Sequence, residues 1–140
     1  MNLGRLKAYF RGPGLARAAE ILQPLLLAAL TMLVAGKFAA LGVDTHHDGI
    51  MLKPALDIAA GKMIFRDTFS QYGAVAPLLQ ALALKLFGPR LLVLRLETAF
   101  FYGLTVFVLW KIWRRFLPGW LASLCGLAFI FTAPYFLNHF

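Results

Sequence analysis

The chain has 140 residues, of which 61% are hydrophobic and only 14% charged, and its mean hydropathy is +0.74. Soluble domains carry about 45–50% apolar and about 25% charged residues, so a disordered chain and an ordinary water-soluble globule are both excluded, and lipid is the expected solvent for the surplus. The net +8 is scattered between long apolar runs and not gathered into a stripe interleaved with aromatics, which argues against nucleic acid, and the single Cys125 excludes intrachain disulfides and cysteine-based metal clusters.

Residues 1–20 form a basic N-terminal segment with Arg5, Lys7, Arg11 and Arg17. From residue 21 to 43 the only charge is Lys37, and a hydrocarbon core needs about 20 helical residues, so this run predicts a first transmembrane helix. Pro24 is expected in its first turn, where a missing N–H costs little, with Lys37 snorkelling at the far end. The run exceeds the about 7–15 apolar residues of a cleaved signal peptide, and no A-x-A site follows it, so an anchor is favoured.

Residues 44–90 form a loop with helical periodicity near 50–60 and 74–87. In the first of these helices Ile50, Met51, Pro54, Ala55, Ile58 and Ala59 share one side, Lys53 and Asp57 the other, and Gly61 ends it. The second puts Val75, Leu78, Leu79, Leu82 and Leu86 on one stripe and stops at Gly88 and Pro89. Its helical length of about 21 Å is too short to cross, so it is expected in the interface or against the spans. Residues 91–110 predict a second span, with Arg95 and Glu97 near its start on different faces, both at headgroup level. A turn at 111–115 carries Lys111, Arg114 and Arg115, and residues 116–140, free of Asp, Glu, Lys and Arg, predict a third span. Trp110, Trp113 and Trp120 gather about the Pro118-Gly119 turn as an interfacial belt. The expected fold class is all-α: a polytopic membrane protein with three transmembrane helices and an extracytoplasmic loop bearing two juxtamembrane helices. Lys and Arg crowd residues 1–20 and 111–115, whereas those of the 44–90 loop are balanced by Asp44, Asp48, Asp57 and Asp67; the positive-inside rule therefore puts the N-terminus in the cytoplasm and the loop outside.

Two polar clusters in that loop carry chemistry. Asp44-Thr-His-His-Asp48-Gly49 stands where the chain leaves the first span, and a carboxylate in a partly desolvated cleft there suits proton abstraction from a nucleophile. The competing reading has Asp48 capping the following helix and both histidines solvated. His46, His47 and Asp48 are also metal-ligand types, but adjacent residues rarely converge on one ion, so a divalent metal is the lesser alternative and no other cofactor is expected. In the second cluster, residues 66–73, Arg66 and Gln71 suit phosphate or sugar oxygens and Phe69 and Tyr72 a sugar or lipid path; local turn bonds by Asp67 and Ser70, with the aromatics anchored at the interface, are the alternative.

The order Asp48-Gly49, Gly61, Phe65-Arg66-Asp67-Thr68-Phe69, Tyr72-Gly73 and Leu86-Phe87-Gly88, followed by Arg95 at the head of the second span, resembles the N-terminal end of the GT-C superfamily of integral-membrane glycosyltransferases. That group includes protein O-mannosyltransferases and the lipid A aminoarabinose transferase, and the likeness covers residues from about 20 to 115. The resemblance implies transfer of a sugar from a polyprenyl-phosphate donor in a bacterial inner membrane. It implies Asp48 as the catalytic acidic residue that activates the acceptor, with Asp44 as fallback, and His47, Arg66, Asp67, Gln71 and Tyr72 as substrate contacts. The chain departs from the pattern in Gly49, where many relatives have Glu, and in the paired His46-His47. Family members have many more spans, so the chain is expected to be an N-terminal fragment, inactive alone. The alternative from another class is a small non-enzymatic membrane protein that assembles with partner helices through Ala35, Gly36 and Gly126.

Overall fold

A computed structural model describes residues 13–42 and 45–132, with side chains for 18–42 and 46–132. The described residues form five helices and no strand: α1 Pro13–Ala39, α2 Thr45–Ala59, α3 Val75–Phe87, α4 Leu91–Trp113 and α5 Gly119–Thr132. The frame is an antiparallel pair, α1 against α4. Ala35 packs with Ala99, Gly36 lies opposite Leu96, Gly103 sits over Ala28 and Met32, and Glu20 reaches Arg114. Small residues at these crossings let the backbones approach, the packing that apolar helices use when lipid gives no hydrophobic drive toward one another. The small residues named above for partner assembly are thus occupied within the chain: a methyl at Gly126 would lie 3.0 Å from Leu27, and Ala35 is buried.

Helix α5 returns after the Pro118 turn and closes a core of Leu27, Val106, Trp110, Ala122 and Ile130. Trp110 is buried there, and its Nε1–H donates to Ser123 Oγ at 3.1 Å, so the indole keeps a hydrogen bond away from water. Both Ala18–Ala39 and Leu91–Trp113 are long and apolar enough to cross a membrane, and only 28% and 22% of their most apolar windows are buried within the chain. Leu22, Leu26, Leu33, Phe100, Leu104 and Val108 are turned outward. The third predicted span is shorter than expected. Helix α5 has 14 described residues, about 21 Å of axis, and residues 133–140 of that span lie outside the described residues. Two helices, and not three, therefore meet the length and composition for crossing among the described residues.

Several boundaries move for identifiable reasons. Helix α1 begins at Pro13, so Pro24 is in its interior and not its first turn. The missing N–H of Pro24 leaves the Glu20 carbonyl without its helical donor. Lys111 Nζ, 3.4 Å away, donates to that carbonyl while lying 5.8 Å from the centroids of Phe107 and Trp110. Helix α4 runs to Trp113, absorbing residues 111–113 of the predicted turn. Helix α2 starts at Thr45 and not at residue 50, and its buried face is Leu52, Ala55, Leu56 and Ala59, which meet Leu84 and Leu94; Asp57, assigned to the polar side, is buried as well. Helix α3 is turned over relative to its leucine stripe. Pro77, Gln80, Ala81 and Leu84 face inward, while Val75, Leu78, Leu79, Leu82 and Leu86 remain exposed. Ala55 and Ala81 allow α2 and α3 to pack closely, and the bulky stripe is left to the surroundings.

Candidate functional site

At one end of the α1–α4 pair the chain turns a corner, and a single side chain holds it. The last carbonyls of a helix have no helical donor. Arg95, in the second turn of α4, supplies one: its Nη1 donates to the carbonyls of Ala39 at 2.9 Å, Leu41 at 3.3 Å and Gly42 at 2.9 Å. The rest of the guanidinium meets Asp48 in the first turn of α2, Nη2 to Oδ2 at 2.7 Å and Nε to Oδ1 at 3.4 Å. Both side chains are largely withdrawn from solvent, 17% and 18% exposed. A planar fork with several fixed donors spans this geometry, which an ammonium does not. Sequence spacing alone put Arg95 at headgroup level and Asp48 at a helix cap; the structure pairs them across 47 residues. The cap alternative gives way because α2 begins upstream of Asp48, which sits inside the helix at its dipole-favoured positive end.

A second site lies on the other side of α2. His46, Ile50 and Lys53 recur at helical spacing and form one wall of a cleft of about 610 Å³, faced by Asp67, Phe69 and Gln71. Asp48 does not line it, being about 200° round the helix axis from His46. The predicted substrate contacts therefore separate. Asp67 and Gln71 share the cleft, Arg66 extends into solvent while pairing with Asp67, and His47 and Tyr72 are exposed without lining it. The His46 and His47 rings meet edge to face, 6.0 Å apart. Asp44 lies outside the described residues. Among the described residues no three of His, Cys, Asp and Glu converge as a metal site, because α2 sends His46 and Asp48 to different faces.

The cleft is built on Asp57. Lys53 and Lys62 both donate to its carboxylate, Lys62 at 2.8 Å, and the Thr68 hydroxyl joins them. The Lys53 hydrogen bond first, then that of Lys62, holds the Asp57 carboxyl well below the usual aspartate range. Asp67 is depressed too, chiefly by Arg66, whose Nε and Nη2 each donate at 2.9 Å, and then by the Met63 N–H, also at 2.9 Å. Between them the chain turns so tightly that Phe65 takes a left-handed φ of 63°, closed by its N–H to the Thr68 carbonyl at 2.8 Å. Such a conformation costs about 1–3 kcal/mol in a non-glycine residue and persists where surrounding bonds over-determine it.

A folded carboxyl held below its unfolded value stabilises the fold above the unfolded pKa, and that contribution is lost as pH falls through the folded value. Stability is therefore expected to be insensitive to these groups near neutrality and to decline below the ordinary aspartate value of 3.8. In Asp57→Asn the thermal midpoint, followed by circular dichroism, should be lower at neutral pH and flatter with acidification than in the native chain. Equal acid sensitivity in both would show that Asp57 is not the titrating group.

Lys53, Lys62, Thr68 and Arg95 were not expected as site residues. For Arg95 a signal existed: a guanidinium at the head of an apolar helix needs an anion, and Asp48 stands in the adjoining loop. Compared with protein-family models, curated proteins and solved structures, the chain matches none significantly.

Proposed function

We propose that the chain carries the acidic-loop portion of an integral-membrane glycosyltransferase, which moves a sugar from a polyprenyl-phosphate donor to an extracytoplasmic acceptor at a bacterial inner membrane. The observation that carries this reading is the Asp48–Arg95 pair, an acid held in fixed orientation at the end of two helices suited to span a bilayer. In this reading α1 and α4 are the spans, and the N-terminal segment is cytoplasmic. The largely outward exposure of their apolar side chains favours lipid over a protein core as their surroundings. Lys111, Arg114 and Arg115 lie at the opposite end of α4 from Arg95, about 24 Å or more along the axis, which agrees with a basic inner face and an outer catalytic loop.

The chemistry assigned to the pair is in-line displacement with inversion. The acceptor oxygen forms a bond to the anomeric carbon as the bond from that carbon to the phosphate oxygen breaks. The acceptor proton passes to Asp48, and polyprenyl phosphate leaves with the electron pair. Arg95 grips Oδ2 more closely than Oδ1, so Oδ1 is assigned the proton. In membranes from cells expressing the complete enzyme, transfer from a polyprenyl-linked labelled sugar is expected to fall about 10²–10⁴-fold in Asp48→Asn, the usual loss for a proton-transfer group. A disulfide between Ala35→Cys and Ala99→Cys, placed at the α1–α4 crossing, reports whether that variant keeps its fold. Undiminished transfer by a folded Asp48→Asn protein would overturn the assignment.

A further inference from the structure

We infer that the cleft between α2 and the 67–71 segment is a carbohydrate site, on the opposite side of α2 from Asp48 and so distinct from the position of proton transfer. Sugar binding there does not rest on the transferase reading. The cleft's volume of about 610 Å³ falls within the about 300–1,000 Å³ of small-molecule sites. Its carboxylates are already answered, Asp57 by Lys53 and Lys62 and Asp67 by Arg66, so a bare ammonium would meet no uncompensated carboxylate. Lys53 and Lys62 share one carboxylate and leave one positive charge beside the cleft, which makes inorganic phosphate the competing ligand.

What the walls offer a ligand besides these charges is two-sided. Gln71 lines the cleft and makes no hydrogen bond among the described residues, so its amide brings two donors and an acceptor. The His46 imidazole lies on the opposite wall. Beside these groups are apolar surfaces, Ile50 and Pro54 on α2 and the Phe69 ring, which is 76% exposed. A sugar presents a rim of hydroxyls and a face of C–H bonds, and its recognition calls for amide or imidazole groups next to an aromatic or aliphatic plane. A hydrocarbon chain would leave the polar wall unpaired, and an ion would leave the ring unused.

The wall is also fixed before a ligand arrives. Phe69 stands between Thr68, tied to Asp57, and Ser70, whose Oγ donates to the Gly73 carbonyl at 2.9 Å. Gln71 falls inside that closed turn. Little ordering remains to oppose binding.

The test is saturation-transfer NMR on the protein in lipid nanodiscs, with methyl glucoside, methyl mannoside, methyl galactoside and N-acetylglucosamine as probes and inorganic phosphate as the anionic comparison. At least one sugar should bind saturably with strongest transfer to its ring C–H protons. Affinity should weaken about tenfold in Gln71→Ala and in Phe69→Ala, two exposed positions, and be unchanged in Leu86→Ala, which does not line the cleft. The inference is overturned if no sugar saturates, if both substitutions leave binding untouched, or if phosphate displaces the sugar. Sugar binding without transfer activity would leave the site standing and count against the transferase reading alone. Transfer without sugar binding in the cleft would overturn the site alone.

Discussion

Arg95→Ala is expected to be among the most damaging single substitutions in the chain. It removes five donor contacts at once, three to the carbonyls that end α1 and two to Asp48. It also takes the countercharge from a carboxylate that is only 18% exposed. Breaking a buried pair from one side costs about 3–5 kcal/mol, and the residual exposure here points to the lower end of that range. The thermal midpoint in detergent micelles measures the loss. Arg95→Lys should recover little, because an ammonium meets Asp48 or the carbonyls but not both groups together. The double variant Asp48→Ala with Arg95→Ala should be less unstable than the sum of the singles, since it leaves no charge behind. Strict additivity would show that the two side chains act separately and would remove the positional basis for Asp48 as catalyst.

Gly103→Leu is expected to part α1 from α4. A Cβ at this position would stand 2.5 Å from Met32 Cε and 2.9 Å from the Ala28 carbonyl oxygen. Met32 is flexible and can swing aside; the carbonyl belongs to helix backbone and cannot. Overpacking of this kind costs about 1–3 kcal/mol for modest added volume, and the full leucine should exceed that range. The disulfide between Ala35→Cys and Ala99→Cys would form readily in the native background and poorly with Gly103→Leu. Gly103→Ala should be intermediate, and adding Met32→Ala should rescue it only in part. Full rescue would mean that the Ala28 backbone yields and that the crossing is looser than the structure has it.

The amphipathic segment from 45 to 59 marks how far residue order could be read. Its helicity was legible from periodicity and from Gly61, and Pro54, Ala55 and Ala59 lie on the packed side where the spacing put them, yet the burial of Asp57 was not legible. Periodicity identifies an apolar side but cannot see that Lys53 and Lys62 neutralise Asp57 and make it buriable, since Lys62 and Thr68 arrive from a turn beyond the helix. The α3 stripe was legible as apolar, but spacing left open whether it lies in the interface or packs on the spans; the smaller face, Pro77 and Ala81, packs and the leucines stay outside. Asp67 and Gln71 share the cleft, whereas Asp48, joined with them in one site only through the family resemblance, faces the other side of α2.

By itself the sequence determined composition, helical class and the ends of the two short helices at Gly61 and Gly88, because these follow from local terms: hydropathy, spacing, Gly and Pro. It also determined which carboxylates lie in the polar segment between the two long apolar helices. Tertiary structure alone decided that Arg95 ties Asp48 to the end of α1, that the cleft opens on the opposite side of α2, and that Ala35 and Gly126 are spent inside the chain. Each of these is a meeting of residues from different helices, set by close packing and by charges that must find partners where water is scarce.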